Sequence, residues 1–322
     1  MLDPELPIVD AHHHLWSLPD FEYLAPQFQH DLATGHRVEA TVYVECLSNY
    51  LSQGPESLQA VGETRFVVEQ ATSHAQSGAS TRLCEAIVGW ADLSLGAAVE
   101  AVLHAHADAG GGRFRGLRAR PTWHEDTRIH PAQTGGPHFL LQAPVLEAVR
   151  ALGRLDLSLD LWLYHTQLED VLTLADQCPE TRLVLNHCGG PLGVGPYEGQ
   201  RSEVFLRWRQ SMRQLAALPQ LRVKLGGLAM PRMGFALDQA PVAPGSECLA
   251  RLWAPYLETC IELLGAERCM FESNFPVDQV GCSYGVLWNT FKRVTQGCSA
   301  SERLRLFAGT ATDTYRLTPL KF

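Results

Sequence analysis

Short apolar runs recur along the chain, each followed by a polar or glycine-rich loop and then by a stretch with helical spacing. Such runs, bounded by turn-forming residues, are typical of buried strands. The eight runs are residues 8–14, 41–46, 85–90, 115–119, 157–163, 182–187, 222–226 and 269–274. Their starts lie roughly 25–47 residues apart, which leaves room for a helix and two loops between neighbours.

The segments between these runs predict the helices. Candidates are residues 56–78, 95–109, 141–153, 166–177, 202–217, 247–264 and 300–307. Alternation of strand and helix predicts a mainly parallel sheet in an α/β protein. Eight such units favour a single (β/α)8 TIM barrel that takes up residues 1–322 as one domain. An open doubly wound sheet is the alternative.

Composition restricts the classes of partner that the protein is expected to bind. The net charge is −9 and no Lys/Arg run occurs, which argues against nucleic acid and anionic membranes. No apolar run reaches the length of a membrane span. Nine cysteines without a CxxC pair indicate reduced thiols of a cytoplasmic protein. We expect a small-molecule substrate as the main partner, and a homodimer on general frequency.

The segment Asp10-Ala11-His12-His13-His14 carries the densest candidate chemistry. Alternate residues of a strand share a face, so Asp10, His12 and His14 are expected to point one way and His13 the other. Two imidazoles at this spacing can reach one metal ion, since His is the commonest metal ligand. The alternatives are buried core histidines and a purification-tag remnant.

In a barrel, functional groups lie at the carboxyl ends of the strands. Ionisable side chains and one amide crowd these ends in the predicted strands, whereas mid-strand positions are mostly Val, Leu and Ile. They are His12 and His14 on the first strand, Glu45 on the second, Arg118 on the fourth, His165 just past the fifth, His187 on the sixth, and Glu272, Asn274 and Asp278 on or after the eighth.

Ordered motifs along the chain resemble one known family. The segments that match are residues 10–16 (DAHHHLW), 116–118 (GLR), 185–191 (LNHCGGP), 223–227 (VKLGG), 271–277 (FESNFPV), 307–311 (FAGTA) and 315–317 (YRL). They resemble the amidohydrolase superfamily, in the branch of metal-dependent TIM-barrel hydrolases that includes sugar- and aromatic-acid lactonases.

The resemblance implies roles for four of these residues. His12 and His14 resemble the pair that binds metal or polarises substrate, and His187 resembles the later strand-end His that binds metal or steers the substrate carbonyl. Arg118 resembles an Arg that holds a substrate carboxylate, for which a guanidinium fork is well suited. The implied cofactor is a divalent metal, with zinc the first choice. A metal-free version, in which the histidines donate hydrogen bonds to the carbonyl, stays open.

The last strand departs from the family pattern. The family has Ser-Asp-Trp-Pro, whereas this chain has Ser273-Asn274-Phe275-Pro276. An amide cannot take a proton from water near neutral pH. We therefore expect Asp278 to act as the base, with Asn274 orienting by hydrogen bonds. Glu272 is the alternative base. A third outcome is that the site catalyses a different reaction or none. Asp278 could instead serve only in a turn or as a helix cap.

Other residues have two interpretations each. Glu45 binds metal or substrate, or else pairs with an Arg at the rim. His165 either lines the substrate site or caps a helix. Trp162 either lines the substrate site or is a packing residue. Lys224 is expected to face the barrel wall or the bottom rim. His104 and His106 are expected on the surface, and His124 and His130 near the mouth.

A competing motif, Gly281-Cys282-Ser283-Tyr284-Gly285, matches the nucleophile elbow of serine hydrolases. That elbow needs a preceding strand and a later His, and no His follows His187. The sequence therefore predicts a hydrolase in which water attacks a polarised carbonyl, most simply that of a lactone. The alternatives are a non-oxidative decarboxylase of the same superfamily and a catalytically inactive binding barrel.

Overall fold

Eight parallel strands surround a common axis in the computed structural model, which describes residues 1–129 and 135–319. The strands of the described chain are β1 (Ile8–His13), β2 (Trp16–Leu18), β3 (Phe21–Tyr23), β4 (Val38–Val44), β5 (Arg82–Gly89), β6 (Phe114–Ala119), β7 (Ser158–Leu161), β8 (Arg182–Leu185), β9 (Leu221–Leu225) and β10 (Cys269–Phe271). All except β2 and β3 correspond to the eight predicted runs. The short β2–β3 hairpin was not predicted.

The sheet order is β1-β4-β5-β6-β7-β8-β9-β10, and every neighbouring pair is parallel. Hydrogen bonds close the ring beyond β10. The backbone N–H of Asn274 donates to the His12 carbonyl at 2.8 Å, and that of His14 donates to the Phe275 carbonyl at 2.8 Å. The predicted (β/α)8 barrel is confirmed, and the open doubly wound sheet is wrong.

Helices cover the outside of the barrel. In the described chain they are α1 (Ala25–Leu32), α2 (Val61–Gln76), α3 (Val99–Ala109), α4 (Ala143–Arg154), α5 (Leu168–Gln177), α6 (Arg201–Leu215), α7 (Ser246–Leu264), α8 (Tyr284–Val294), α9 (Ala300–Leu304) and α10 (Thr310–Tyr315). On α4, Val145, Ala148, Val149 and Leu152 are fully buried at helical spacing against the sheet. Strands such as β7 are buried throughout because helices cover one face and the barrel interior the other.

Helices α1, α8 and α10 were not predicted from the sequence. Helix α8 was hidden because its start coincides with the elbow-like motif. The structure shows that Ser283 is the N-cap of α8, where its hydroxyl accepts from the Val286 N–H at 3.4 Å. Ser283 therefore has a structural role that agrees with the rejection of the serine-hydrolase interpretation.

The expectation that His106 lies on the surface is wrong. Its ring is buried, with Nδ1 2.8 Å from the Thr64 hydroxyl and Nε2 2.9 Å from the Trp90 carbonyl. A histidine on the inner face of α3 thus ties the helix to the end of β5.

Candidate active site

A β-bulge in β1 sets the direction of the histidines. From Asp10 to His13 the strand advances three residues, while its partner β4 advances only two, from Thr41 to Tyr43. One extra residue reverses the alternation of faces. Asp10 therefore contacts Ser273 N–H (2.8 Å) and the Tyr284 hydroxyl (3.0 Å) of helix α8. The expectation that Asp10 shares a face with His12 is wrong, because His12 points into the barrel.

Three segments that are distant in sequence meet at the inner end of the barrel mouth. His12 Nδ1 lies 2.9 Å from Glu272 Oε2, and His187 Nδ1 lies 2.7 Å from Glu272 Oε1. His14 Nε2 lies 3.2 Å from His12 Nε2. These four side chains are at most 3 % exposed. The structure thus brings the predicted imidazoles together around one carboxylate.

Glycines make the room that this convergence requires. Gly227 follows β9 with φ +66°, and a Cβ at this position would lie 2.5 Å from His187 Cγ and Nδ1. A Cβ on Gly226 would lie 2.4 Å from Glu272 Cγ. His187 itself has φ +54°, a conformation that non-glycine residues rarely adopt outside functional sites. The Gly226-Gly227 pair is therefore part of the site, a role that the sequence did not reveal.

Burial keeps these imidazoles neutral. It lowers the pKa of His12 and of His14 well below the usual value, and the Lys224 ammonium lowers the pKa of His12 further. Burial also lowers the pKa of His187, partly offset by Glu272. The Val44 carbonyl lies 2.8 Å from His14 Nδ1 and can only accept, so Nε2 of that ring carries the lone pair. Neutral imidazoles with oriented lone pairs are competent metal ligands.

The donor set fits a cation. Donor atoms of His12, His187 and Glu272 lie within 4.8 Å of one another, close enough to hold one metal ion together. Glu272 is fully buried, and a cation in this cluster would compensate the negative charge of its carboxylate. Two of the three predicted ligands, His12 and His187, belong to this cluster. His14 contacts the cluster through His12. The third member of the cluster is Glu272, which was predicted as an alternative base.

Asn274 and Asp278 form a second buried pair beside this cluster. The Asn274 amide donates to Asp278 Oδ1 at 2.7 Å, and the Ala229 N–H donates to Oδ2 at 3.3 Å. Burial raises the pKa of Asp278 to about 8 despite these hydrogen bonds. Asp278 lies inside the 3₁₀ turn Val277–Val280 and not at its cap. A carboxyl group with a pKa near the working pH is suited to proton transfer.

Arg118 is held on two sides. Its Nε donates to Glu45 Oε1 at 2.7 Å and its Nη2 donates to the Glu45 carbonyl. Arg120 Nε lies 3.0 Å from the same carboxylate oxygen. The Nη1 of Arg118 lies 3.4 Å from His12 Nε2. Glu45 thus pairs with two arginines at the rim, which is one of the two roles predicted for it. One edge of Arg118 faces the histidines.

Lys224 also lies in a place that differs from the one predicted from the sequence. It is fully buried inside the barrel, with Nζ 2.7 Å from Asp160 Oδ2 and 3.4 Å from His12 Nδ1. The expectation of a wall or bottom-rim position is wrong. A usable signal existed, because Val223 and Leu225 flank Lys224 on β9 and pack outward against helices, which turns Lys224 inward.

The remaining predicted residues line the mouth on one side. The Trp162 ring stands edge-on to His187 at 4.7 Å between centroids. His165 is buried in the turn His165–Gln167, where its Nδ1 accepts from the Leu192 N–H at 3.3 Å, and burial lowers its pKa to about 4. His124 Nε2 lies 2.9 Å from the Tyr197 hydroxyl. His130 lies outside the described residues.

The barrel and the cluster of histidines define a class of enzyme, and comparison with known proteins agrees. The amidohydrolase family model matches residues 9–317. The chain therefore belongs to the amidohydrolase family, and it is a hydrolase.

Relatives and solved structures are similar over the full length. Uncharacterized protein y4mH of Sinorhizobium fredii is 30 % identical and covers 97 % of this chain and 99 % of the relative. L-fucono-1,5-lactonase of Burkholderia multivorans is 27 % identical over 96 % of each chain. An amidohydrolase of Burkholderia multivorans, solved with bound zinc, superposes with a TM-score of 0.74 at 26 % identity and covers 97 % of this chain and 99 % of its own.

Within the described residues, no helix is both long and apolar enough to cross a membrane.

Proposed function

We propose that the protein is a metal-dependent lactonase that opens a small lactone by attack of water on its carbonyl carbon. The observation that carries this proposal is the convergence of His12 and His187 on Glu272. The similarity to L-fucono-1,5-lactonase supports a lactone as substrate. The zinc in the similar solved structure supports zinc as the metal.

The ligands in this proposal are the imidazoles of His12, His14 and His187. Glu272 orients two of the rings through their Nδ1 atoms and adds negative charge beside the cation. A divalent cation bound there polarises a carbonyl and lowers the pKa of water. Neutral imidazoles with a carboxylate behind them are a common donor set for zinc.

Proton transfer falls to Asp278 in this proposal. Its carboxylate accepts a proton from the attacking water and passes it to the ring oxygen that leaves. Asn274 holds Asp278 through the hydrogen bond that its side-chain amide donates to Oδ1 at 2.7 Å. Asn274 thus stands where the family usually has Asp, and it positions the carboxylate of Asp278, the next acidic residue along the chain.

In this proposal, residues at the rim of the barrel bind the substrate. Glu45 fixes Arg118 so that its Nη1 edge faces the histidines, where it donates to an oxygen of the substrate. The edge-on ring of Trp162 and the side chain of His165 form the opposite wall. Because Glu45 occupies two nitrogens of Arg118, we expect a single hydrogen bond from it rather than a bidentate grip on a carboxylate.

The test combines elemental analysis with a pH-stat assay. Protein purified without chelators is expected to hold about one equivalent of zinc or another divalent metal. It is expected to consume base when given a panel of sugar and aliphatic lactones. The double variant His12→Ala/His14→Ala is expected to lose both metal and turnover, whereas His104→Ala, on the exposed face of α3, keeps both.

Three results would contradict the proposal. Release of carbon dioxide from a carboxylic acid panel, without lactone opening, would indicate a decarboxylase. Bound metal without turnover of any lactone or acid would indicate a binding barrel. Equal lactone turnover by the wild type and the double variant would show that the histidine cluster is not the active site.

A further inference from the structure

A cavity of about 360 Å³ opens between the loops that follow β4, β5 and β6. Its walls are mainly apolar side chains, contributed by Leu47, Trp90, Leu93, Pro121 and Phe139. These residues follow the carboxyl ends of three neighbouring strands, so the cavity belongs to the mouth of the barrel.

The polar side chains in the wall are already engaged. Asp92 Oδ1 accepts from the Ser94 N–H at 2.9 Å and from the Ser94 hydroxyl at 2.7 Å. Arg120 Nε lies 3.0 Å from Glu45 Oε1. A hydroxylated group placed in this cavity would give up water contacts for an apolar wall, which costs free energy. The cavity is therefore suited to hydrocarbon.

One carboxylate connects the cavity to the reaction site. Glu45 Oε1 contacts Arg120, which lines the cavity, and Arg118, whose Nη1 lies 3.4 Å from His12 Nε2. The side chains of Arg118, Glu45 and Arg120 thus span the distance between His12 and the wall of the cavity.

Leu47 at the rim supports a binding role independently. It is half exposed, at 50 %, and has φ +60°. A leucine in the left-handed region costs about 1 kcal/mol, and an exposed leucine gains little by burial. Strain of this kind clusters at ligand sites.

We propose that this cavity is a subsite for an apolar substituent on the ring of the substrate. The inference rests on the proposed lactonase function and deepens it. It places alkyl-substituted lactones ahead of polyhydroxylated sugar lactones as substrates of this protein.

The test uses a series of γ-lactones whose ring substituent grows from methyl to hexyl. In the wild type, kcat/KM is expected to rise about threefold for each methylene until the cavity is filled. Leu47→Asp and Trp90→Gln are expected to flatten this rise. The matched control Leu206→Asp, at an exposed leucine on the outer face of α6, keeps the wild-type slope.

The outcomes separate the subsite from the lactonase activity. Turnover with no dependence on chain length overturns the subsite alone, and so does a slope that survives in both cavity variants. If the wild type opens no lactone, the same lactones are titrated as ligands by calorimetry. Affinity that rises with chain length, and loses that rise in Leu47→Asp, then supports the subsite and contradicts the lactonase proposal. Affinity without such a rise overturns the subsite.

Discussion

Glu272 and His187 are joined through one oxygen atom. Glu272 Oε1 lies 2.7 Å from His187 Nδ1 and accepts from the His187 backbone N–H at 3.1 Å. Two contacts from one residue fix both the ring and the backbone of His187. The other oxygen of the carboxylate reaches His12, so a single side chain sets the orientation of two imidazoles.

Removal of this carboxylate charge is expected to weaken metal binding. Glu272→Gln keeps the shape of the side chain, but an amide cannot accept from both rings and also supply negative charge. We expect metal affinity to fall about 10–100-fold, as for other orienting partners of metal ligands. Competition with a chelator measures this. The control Glu203→Gln changes an exposed carboxylate on α6, and equal affinity in both variants would contradict the assignment of Glu272.

The rate is expected to depend on Asp278. A general base must be ionised, and the pKa of Asp278 is raised to about 8. We therefore expect kcat/KM to rise with pH up to about 8 and then to level off. Asp278→Asn is expected to lower kcat about 10²–10⁴-fold and to abolish this rise. A variant that keeps the wild-type pH profile would exclude Asp278 as the base.

Asp278 is also expected to make stability depend on pH between about 4 and 8. Its pKa is raised in the folded protein and close to 3.8 in the unfolded chain, so the folded state binds more protons. The contribution of Asp278 to stability is full below pH 4 and is lost as the pH rises to about 8. The melting temperature of Asp278→Asn relative to the wild type should therefore increase between pH 4 and 8 and then level off. A difference that stays constant across this range would contradict the raised pKa.

Gly227 is expected to be intolerant of any side chain. A methyl group there would meet the His187 ring at 2.5 Å, and φ +66° disfavours alanine. We expect Gly227→Ala to lower the free energy of unfolding by about 1–3 kcal/mol and to displace His187 enough to reduce metal binding. Urea denaturation and elemental analysis measure the two effects. Gly297→Ala, where the added methyl has open space, should leave both unchanged.

The buried pair of Lys224 and Asp160 is expected to act as a unit. Both side chains are fully buried, and Asp160 also accepts from the Tyr315 hydroxyl. Lys224→Met leaves Asp160 without its partner and should cost about 3–5 kcal/mol of stability. The double variant Lys224→Met/Asp160→Asn should recover much of this loss. Additive effects of the two single changes, measured by denaturant unfolding, would show that the pair is not coupled.

The sequence by itself determined the architecture. Eight apolar runs spaced by helical segments predict the barrel, since burial on both faces requires near-continuous apolar strands. The rule that functional groups lie at strand ends then pointed to His12, His14 and His187. Helix α8 escaped because Ser283 and its neighbours match a different motif, and a capping serine and a nucleophilic serine look alike in a sequence.

Only the tertiary structure decided how these residues face one another. The bulge in β1 separates Asp10 from His12, and a strict period of two cannot anticipate one extra residue. Lys224 lies on β9 and Glu272 directly after β10, and both approach the residues of β1 only when the barrel closes. Periodicity reports which side of a strand is buried, whereas contacts between strands depend on register and closure, which are properties of the whole barrel.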